Sequence, residues 1–456
     1  MSEPSQRPIL LFLCHPLTGH FIPVIKIASA LRGRGWDVCF LGASFFRSRI
    51  EASGAEFFQL QGKADLDDAK LFDRDTSVPR GAADDKTYRA RSIIDTRHQT
   101  LHAIPAAWES VRAALLELHQ RNAGRQVIVI CEAFFYGFMP LRYGAPLPTG
   151  VKVPRSICIS ILSPAIRSID LPPFSYPAPF EPTYAGRVRN KEMWASWEKL
   201  ARPVTQLIDN KLAEAGATRG VGEVFMGGAN YTCHDAILQI GLSAFEYPRS
   251  DFPPNFKIIG IIPPGPLDWW QDVVSNSDLD HNDERKKKVI VVAQGTVETD
   301  PNELIIPTLQ WLADHKDIMT VAILGHRGAS LPPDFDVPGN ARIADYLQYD
   351  AILPHANLWI HNGGYGATMH GLAHGVPMVI AGEGQDKAES AKRVAWSGVG
   401  VDLECARPGI ERIGRAIEKV LGEGTYKETA AAMKLLAEGL DCFGDVEREV
   451  LSMIDT

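Results

Sequence analysis

Apolar positions at the start of the chain form short unbroken runs separated by a segment of helical spacing. Pro8 to Cys14 is one run, Phe21 to Arg32 has helical spacing with Pro23 in its first turn, and Asp37 to Leu41 is a second run. Unbroken apolar runs are typical of buried parallel strands, and proline is tolerated in the first turn of a helix. The pattern predicts an opening βαβ unit, without the Gly-x-Gly-x-x-Gly of dinucleotide binding.

The same alternation continues to the C-terminal region. Segments with helical spacing are predicted over Tyr88 to Arg121 and 302–314, and the aperiodic residues 62–88 are predicted as a mobile loop. Further strands are predicted at Gln126 to Cys131, Pro154 to Leu162, Asn255 to Ile262, Val289 to Ala293, 318–324, Arg342 to Leu347 and Leu358 to Ile360. Alternating strands and helices predict an α/β protein with doubly wound parallel sheets and right-handed crossovers.

Length and composition set the broad class. With 456 residues the chain is too long for one ordinary core. We therefore predict an N-terminal domain over 1–262, a linker over 263–288 that contains the polar stretch Asp272 to Lys288, and a C-terminal domain over 289–456. A net charge of −8 without a basic stripe argues against nucleic-acid binding.

Seven scattered cysteines without Cys-x-x-Cys spacing predict reduced thiols and no metal centre. The first residues lack a signal-peptide pattern, and no apolar run is long enough to span a bilayer. We expect a cytoplasmic protein without an integral membrane segment.

A glycine-rich turn follows the strand that ends at Ile360. It reads Asn362-Gly363-Gly364-Tyr365-Gly366-Ala367 and leads into a segment of helical spacing. Glycines let a ligand approach the backbone, and the amides at a helix N-terminus favour an anion such as a diphosphate. The alternative is that the glycines only make a sharp turn between strand and helix.

The surroundings of this turn resemble a known signature. Tyr346 and His355 upstream, with the segment from Gly375 to Met378 and Asp386 downstream, stand at offsets similar to those of the donor-binding region of family 1 nucleotide-sugar glycosyltransferases. The resemblance covers the C-terminal half and the first few dozen residues, whereas residues 60–250 match only in layout. It implies the GT-B fold, in which two Rossmann-like domains face each other across a cleft.

His20 is the candidate catalytic base. On position alone it could equally be a capping histidine at the first strand-to-helix turn. Gly19-His20-Phe21-Ile22-Pro23 resembles the family segment Gly-His-x-x-Pro. That resemblance implies that His20 removes the proton of an acceptor hydroxyl, which then attacks the anomeric carbon of the sugar in line. His15 lies nearby outside the motif and is the second choice.

Glu132 is the candidate partner of this base. The family has a carboxylate, usually aspartate, at the end of the corresponding strand, where it contacts the histidine and stabilises the imidazolium. Here Glu132 follows Cys131 and is longer by one methylene. Orientation of a histidine by a carboxylate follows the logic of a hydrolase triad. A carboxylate that merely caps the next segment is the alternative.

The resemblance also implies a set of donor-binding residues. Tyr346 stands where a tryptophan stacks on the nucleobase, and Gln348-Tyr349 replaces the usual Pro-Gln. Asp386 matches the aspartate that holds hydroxyls of the donor sugar, and Gln294-Gly295-Thr296 resembles a turn near the donor phosphates. The full implied set is Gly19, Gly295, Thr296, Tyr346, His355, Asn362, Gly363, Gly364, Tyr365, Gly366, Ala367, His370, Asp386 and Lys387.

Several of these side chains depart from the family pattern. Asn362 replaces a histidine at the diphosphate, and Ala367 lacks a Ser/Thr hydroxyl. His370 replaces the glutamate that binds the ribose, and Lys387 replaces a glutamine beside Asp386. Lysine donates hydrogen bonds without accepting them, so the identity of the sugar and of the nucleotide stays open.

The segment from Ser163 to Trp197 is rich in proline and aromatic residues, including Phe174, Phe180 and Trp194. In the family the corresponding region helps to form the acceptor pocket, and an aromatic lining suits a flat hydrophobic acceptor. A surface insertion that packs on itself is the equal alternative.

Together these features predict an inverting, metal-independent glycosyltransferase of the natural-product type. Its substrates would be a nucleotide sugar, with UDP-glucose as the leading candidate, and a small lipophilic or phenolic acceptor, without a resident cofactor. Metal independence is expected because the amides of the glycine turn and the helix N-terminus can neutralise the leaving diphosphate. A non-catalytic auxiliary subunit and a nucleotide-sugar epimerase of the same fold are the alternatives, and the oligomeric state is unknown.

Overall fold

The computed structural model describes residues 7–67, 100–174, 176, 178–265, 287–295 and 300–455. Within them, thirteen strands form two sheets in which every neighbouring pair of strands is parallel. This arrangement confirms the predicted α/β class with two doubly wound parallel sheets. The predicted domain boundaries stay predictions, because most of the linker, residues 266–286, lies outside the described residues.

The first sheet contains seven strands in the order β3-β2-β1-β4-β5-β6-β7. The central strand β1 is buried along its whole length and β4 is buried after its first residue, as the unbroken apolar runs predict. The strands are β1 (Ile9–Leu13), β2 (Asp37–Gly42), β3 (Glu56–Gln59), β4 (Val127–Glu132), β5 (Arg155–Ser160), β6 (Ala236–Gln239) and β7 (Phe256–Ile258).

The second sheet contains six strands in the order β10-β9-β8-β11-β12-β13. Its strands are β8 (Lys288–Ala293), β9 (Ile318–Ile323), β10 (Ala341–Ala344), β11 (Leu358–His361), β12 (Met378–Ile380) and β13 (Gly400–Asp402). In both sheets the strand order reverses once, between β1 and β4 and between β8 and β11. Ligands of open α/β sheets bind at such switch points, outside the carboxyl ends of the strands.

Helices connect the strands of both sheets. Those before β8 are α1 (Thr18–Gly33), α2 (Arg47–Ala52), α3 (Ile104–Arg121), α4 (Met139–Arg142), α5 (Tyr184–Glu214) and α6 (Ala229–Thr232). Those after β8 are α7 (Ile305–Leu312), α8 (Tyr349–Ile352), α9 (Tyr365–His374), α10 (Lys387–Ser397), α11 (Ile410–Gly422), α12 (Gly424–Glu438) and α13 (Cys442–Ser452). Within the described chain, no helix is long and apolar enough to cross a bilayer.

Two segments differ from the predicted pattern. The proline- and aromatic-rich segment from Ser163 to Trp197, for which no helix was predicted, contains the start of α5, a 31-residue helix with Pro203 inside it. The helix predicted from Tyr88 begins at Ile104 after a short 3₁₀ turn, and residues 88–99 lie outside the described part of the chain. Most of the predicted mobile loop over 62–88 lies outside it too, apart from residues 62–67.

The last helix returns to the first sheet. Cys442, Val446 and Val450 of α13 belong to the hydrophobic core that covers one face of β1 and β2. The indole Nε1 of Trp36 donates to Glu447 Oε1 at 2.8 Å. The C-terminal segment, which follows the second sheet in sequence, therefore completes the core of the first.

Candidate functional site

A cleft of about 620 Å³ lies between the carboxyl ends of the two sheets. Both switch points contribute to its lining. Of the predicted site residues, those that line the cleft are Gly19, His20, Gly295, Asn362, Gly364, Tyr365, Gly366, Ala367, His370, Asp386 and Lys387. The structure thus brings together residues that are far apart in the sequence.

His20 and Glu132 meet at the switch point of the first sheet. His20 is in the first turn of α1, directly after β1, and Glu132 is the last residue of β4. The distance from His20 Nδ1 to Glu132 Oε1 is 3.1 Å, and the Glu132 side chain is fully buried behind the histidine. The extra methylene of glutamate relative to aspartate does not prevent this contact.

The surroundings of His20 change its basicity. Burial alone would lower the pKa of His20, but the charge and hydrogen bonding of Glu132 and the charge of Asp386 outweigh it. The pKa of His20 therefore lies above its ordinary value of 6.5. In contrast, burial and the charge of His20 hold the pKa of His15 well below that value, so His15 stays neutral.

Glu132 is also fixed by the backbone. The amide of Phe134 donates to Glu132 Oε1 at 3.0 Å, and the ring of Phe134 packs edge-on against His20 with ring centres 5.7 Å apart. Carboxylate and imidazole are therefore held by groups that belong to the folded framework. A base positioned in this way needs little reorganisation during proton transfer.

The glycine turn lies at the switch point of the second sheet. It joins β11 to α9, and Gly363 has φ of +87°, a left-handed conformation that side chains rarely adopt. A Cβ on Gly363 would lie 2.8 Å from Ile380 Cγ2 and 2.9 Å from the carbonyl oxygen of Lys387. Glycine is therefore required at this position by both conformation and space.

Replacing Gly363 with alanine should lower the free energy of unfolding by about 1–3 kcal/mol, because strain and collision act together. Gly366 provides the matched control, since it lies inside α9 with nothing within 4 Å of a built Cβ. Gly366→Ala should leave stability unchanged or raise it by up to about 1 kcal/mol. Urea denaturation of both variants measures the difference, and equal losses would contradict the assigned strain.

Asn362 links the two strand ends at this switch point. Its Nδ2 donates to the carbonyl oxygen of Gln294, which follows β8, and its side chain is buried. Gly295, with φ of +81°, lies beside it in the cleft. Thr296 lies outside the described residues. The amide therefore positions the backbone of the two strand-end turns, a role that the sequence motif does not reveal.

Asp386 lies opposite His20 and against the N-terminus of α9. Its Oδ2 accepts the backbone N–H of Tyr365 at 2.9 Å. Burial raises the pKa of Asp386, and this hydrogen bond and nearby positive charge offset the rise only in part. The neighbouring Lys387 lines the cleft and is buried. The carboxylate is thus part of the glycine-turn structure as well as of the cleft.

Tyr365 connects the two halves of the site. Its hydroxyl donates to the carbonyl oxygen of Ile240 at 2.8 Å and accepts from Gln239 Nε2 at 3.2 Å. Both partners lie at the end of β6 in the first sheet. The side chain therefore fixes the glycine turn of the second sheet relative to the first.

His370 contacts the carboxylate of Asp350, a residue that the sequence analysis did not identify. Asp350 Oδ1 is 2.6 Å from His370 Nδ1 and 3.0 Å from His374 Nε2. Burial raises the pKa of Asp350, but hydrogen bonds from the two histidines and from the amide of Gly265 outweigh it and hold that pKa far below its ordinary value. The spacing of the two histidines, one helical turn apart, was the available sequence signal.

Of the predicted donor-binding residues that the structure describes, Gly363, Tyr346 and His355 are not part of the cleft lining. Tyr346 is 40% exposed, with the guanidinium of Arg327 over its ring, and His355 is exposed. Tyr349 lines this end of the cleft, and its ring packs edge-on against His370. At this end of the cleft, the structure presents Tyr349 in place of the predicted Tyr346.

The aromatic residues of the predicted acceptor region do not share one environment. Phe174 lines the cleft, whereas Trp194 and Trp197 are buried in the core under α5. Further apolar lining comes from several segments that precede the second sheet in the sequence. Its members are Leu17, Ile22, Phe134, Ile161, Leu162, Met226, Ile240, Ile261 and Ile262.

Comparison with known proteins identifies the class to which this architecture belongs. Residues 314–442 match the family model described as Erythromycin biosynthesis protein CIII-like, C-terminal domain. The crystal structure of CalG4, the calicheamicin glycosyltransferase, superposes with a TM-score of 0.67 at 18% identity and covers 98% of both chains. This likeness confirms the GT-B fold.

Sequence relatives extend over almost the whole chain. UDP-glucosyltransferase A1 of Starmerella bombicola is 33% identical over 99% of this chain and 93% of its own. UDP-glucosyltransferase 1 of Beauveria bassiana (strain ARSEF 2860) is 34% identical over 97% of this chain and 94% of its own. The chain therefore belongs to the UDP-glycosyltransferase family. The protein is an enzyme, a UDP-dependent glycosyltransferase.

Proposed function

We propose that this enzyme transfers glucose from UDP-glucose to a hydroxyl of a small lipophilic acceptor, with inversion at the anomeric carbon and without a metal ion. The observation that carries the proposal is that His20 faces the cleft with the buried carboxylate of Glu132 3.1 Å behind its Nδ1. A histidine oriented by a buried carboxylate is suited to take a proton from a hydroxyl.

In the proposed step, Nδ1 of His20 faces Glu132, which leaves Nε2 for the acceptor. Nε2 takes the hydroxyl proton while the acceptor oxygen bonds to the anomeric carbon and the bond from that carbon to the diphosphate breaks. The electron pair leaves with UDP, and Glu132 stabilises the imidazolium that forms. A single displacement of this kind inverts the configuration at the anomeric carbon.

The leaving diphosphate is proposed to lie at the N-terminus of α9. Gly364, Gly366 and Ala367 line the cleft there, and first-turn amides with the helix dipole stabilise an anion. Preorganised amides can stabilise developing charge without a metal ion. Asp386 and Lys387 are then close enough to the cleft to hold hydroxyls of the sugar.

The donor is assigned from the relatives and from the cleft. Both sequence relatives are named UDP-glucosyltransferases, which supports UDP-glucose for this chain. Because Nδ1 of His370 is taken by Asp350, its Nε2 is the ring atom available to a ribose hydroxyl. Tyr349 is positioned to contact the nucleobase from the same end of the cleft.

The acceptor side of the cleft is apolar. Phe134, Phe174 and Met226 line it together with isoleucine and leucine side chains. An apolar pocket with one reactive histidine favours a hydrophobic molecule that carries a hydroxyl, of which phenols are one class. The seven cysteines are free thiols, five of them buried, which suits a cytoplasmic enzyme.

The test is transfer from a panel of nucleotide sugars to mixed lipophilic acceptors, followed by mass spectrometry and by NMR of the product. The expected product is an acceptor heavier by one hexose, with β-linkage formed from the α-linked donor. An α-linked product would overturn the single displacement. Conversion of the donor sugar without an acceptor would instead favour the epimerase alternative.

Glu132→Gln should change the pH dependence of turnover as well as its rate. The base must be neutral, so kcat/KM rises with pH through the pKa of His20, which lies above 6.5 in this protein. Removing the charge of Glu132 removes the principal interaction that raises this pKa, and the acidic limb should move to lower pH. The rate at the plateau should fall because the imidazolium loses its counter-charge.

The measurement is kcat/KM from pH 5 to 9 for both proteins. Glu56→Gln is a matched control, because Glu56 is an exposed carboxylate at the far edge of the first sheet. The control should reproduce the original profile. An acidic limb that stays in place in Glu132→Gln would contradict the assigned pairing.

A further inference from the structure

One group of side chains at the end of the cleft contains ligand atoms that the proposed reaction does not use. His370 and His374 lie one turn apart on α9, and both contact Asp350 of α8. Among the described residues, this is the group whose histidine and carboxylate ligand atoms all lie within 4.8 Å of one another. Such a group can act as a hydrogen-bonded cluster or as a set of metal ligands.

We propose that Asp350, His370 and His374 form a binding site for Zn²⁺ that regulates the enzyme and takes no part in glycosyl transfer. Imidazole nitrogen and carboxylate oxygen are the donors that Zn²⁺ accepts in proteins. Two histidines separated by four residues on one helix face are a recurrent zinc-binding arrangement. Three protein ligands leave a fourth position for water.

The carboxylate of Asp350 is oriented for this role. Its Oδ2 accepts the backbone N–H of Gly265 at 2.8 Å, which leaves Oδ1 directed at the two imidazoles. Hydrogen bonds to the non-ligating oxygen are the usual means of orienting a metal ligand. Asp350 is buried, so the surrounding structure determines the direction of this oxygen.

The distances are close to those that a zinc ion requires. Tetrahedral ligands at ordinary zinc distances are about 3.3 Å apart. The His374 Nε2 to Asp350 Oδ1 distance is 3.0 Å, and the His370 Nδ1 to Oδ1 distance of 2.6 Å would have to open by several tenths of an ångström. The His370 side chain is 30% exposed, which allows this adjustment.

One positive charge opposes the ion. Lys26 Nζ lies 3.6 Å from Asp350 Oδ2, on the oxygen that does not face the histidines. Its side chain is 34% exposed and can turn into solvent when a cation binds. The charge of Lys26 therefore lowers the affinity for Zn²⁺ without preventing binding. A site of lower affinity suits reversible regulation better than permanent occupancy.

Zinc at this site should compete with the nucleotide sugar. This competition rests on the proposed function, because His370 lines the cleft where the ribose is placed. A bound Zn²⁺ fixes the His370 ring through its bond to Nδ1. The ion and its water ligand also occupy space at the end of the cleft where the ribose is placed. The binding of zinc itself does not depend on the proposed function, so the two claims can fail separately.

The binding test titrates the metal-free full chain with Zn²⁺ in competition with a chromophoric chelator. The expected result is one Zn²⁺ per chain, with affinity at least about 100-fold weaker in Asp350→Asn and in His374→Gln, beyond the 10–100-fold typical of losing a second-shell partner. His119→Gln, a remote histidine on α3, is the control and should bind as the original chain does. Circular dichroism and urea denaturation verify that each variant is folded.

A chain that binds no Zn²⁺, or variants at Asp350 and His374 that keep the original affinity, would overturn the site. Co²⁺ supplies a second signature, since a tetrahedral Co²⁺ complex absorbs strongly in the visible range and should do so only when both residues are intact. Absorption that persists in both variants would assign the metal to other ligands.

The regulatory test measures donor KM with and without Zn²⁺. His374 lies outside the cleft lining, so His374→Gln should keep the basal turnover. Zinc should raise the donor KM of the original chain without changing kcat and should have no effect on His374→Gln. Binding with an unchanged KM would overturn the competition and leave the metal site in place.

Discussion

Replacing His20 with alanine should lower kcat/KM for glycosyl transfer by about 10²–10⁴-fold, the range that general-base catalysis contributes. The imidazole faces the cleft, and Glu132 lies 3.1 Å behind it. Without the imidazole, the acceptor hydroxyl must lose its proton to water. The affinity for UDP should stay within a few fold, because the diphosphate is placed on the opposite side of the cleft at α9.

The comparison with His15 makes this prediction specific. His15 also lines the cleft, and the ring centres of the two histidines are 5.1 Å apart. Among the described residues it has no carboxylate partner of the kind that Glu132 provides, and burial keeps the pKa of its imidazole well below the ordinary value. His15→Gln should therefore lose much less than His20→Ala. Initial rates at saturating donor and calorimetric UDP binding measure both effects, and a larger loss at His15 would reassign the base.

The strands were predictable because their signal is local. Buried parallel strands require unbroken apolar runs, and β1, β4 and β8 lie within a residue or two of the predicted segments. The start of α5 was missed because Pro172, Pro173 and several aromatic residues precede it, and such composition is typical of loops. The helix is stabilised by burying Trp194 and Trp197, a tertiary effect.

The candidate site was predictable to the extent that its motifs are contiguous. The glycine turn could be recognised because Gly363 and its neighbours must adopt one backbone conformation. The contact of His20 with Glu132 could be inferred only through the resemblance, since it depends on β1 and β4 being neighbours in the sheet.

Contacts that depend on three-dimensional packing were not predictable. Asp350 has no feature in the sequence that marks it as the partner of His370 and His374. Likewise, the alternation of strands and helices does not indicate that α13 returns to the first sheet. Each of these contacts is fixed by the relative position of elements, and single-sequence patterns carry no information on that position.

A buried ion cluster joins the two halves of the chain. It is a further contact that sequence patterns do not reveal. Arg393 of α10 donates through Nη2 to Glu246 Oε1 at 2.7 Å and through Nη1 to Glu389 Oε2 at 2.9 Å. Glu246 lies between β6 and β7 of the first sheet, and the guanidinium also lies over the ring of Tyr247. Since α10 begins next to Asp386, the cluster holds one side of the cleft in place.

Arg393→Leu should therefore destabilise the protein by about 3–5 kcal/mol, the cost of breaking a buried ion pair from one side. Two buried carboxylates would be left without their cation. Arg121→Leu is the matched control, because Arg121 pairs with Glu56 on the surface, where ion pairs contribute about 0–1 kcal/mol. Urea denaturation at pH 8 measures both losses, and equal losses would contradict the role of the cluster.

The loss should also depend on pH. Burial raises the pKa of Glu389 to about 7 even though Arg393 opposes the rise. A carboxyl group whose pKa is higher in the folded than in the unfolded state lowers stability when it is ionised, which happens above the folded-state pKa. This cost disappears as the pH falls toward the pKa of the unfolded state, about 4.5. Removing Arg393 raises this pKa further, so the destabilisation should be largest at pH 8 and clearly smaller at pH 5.5. A loss of equal size at both pH values would show that the lost packing of the arginine side chain, and not the uncompensated charge, is the cause.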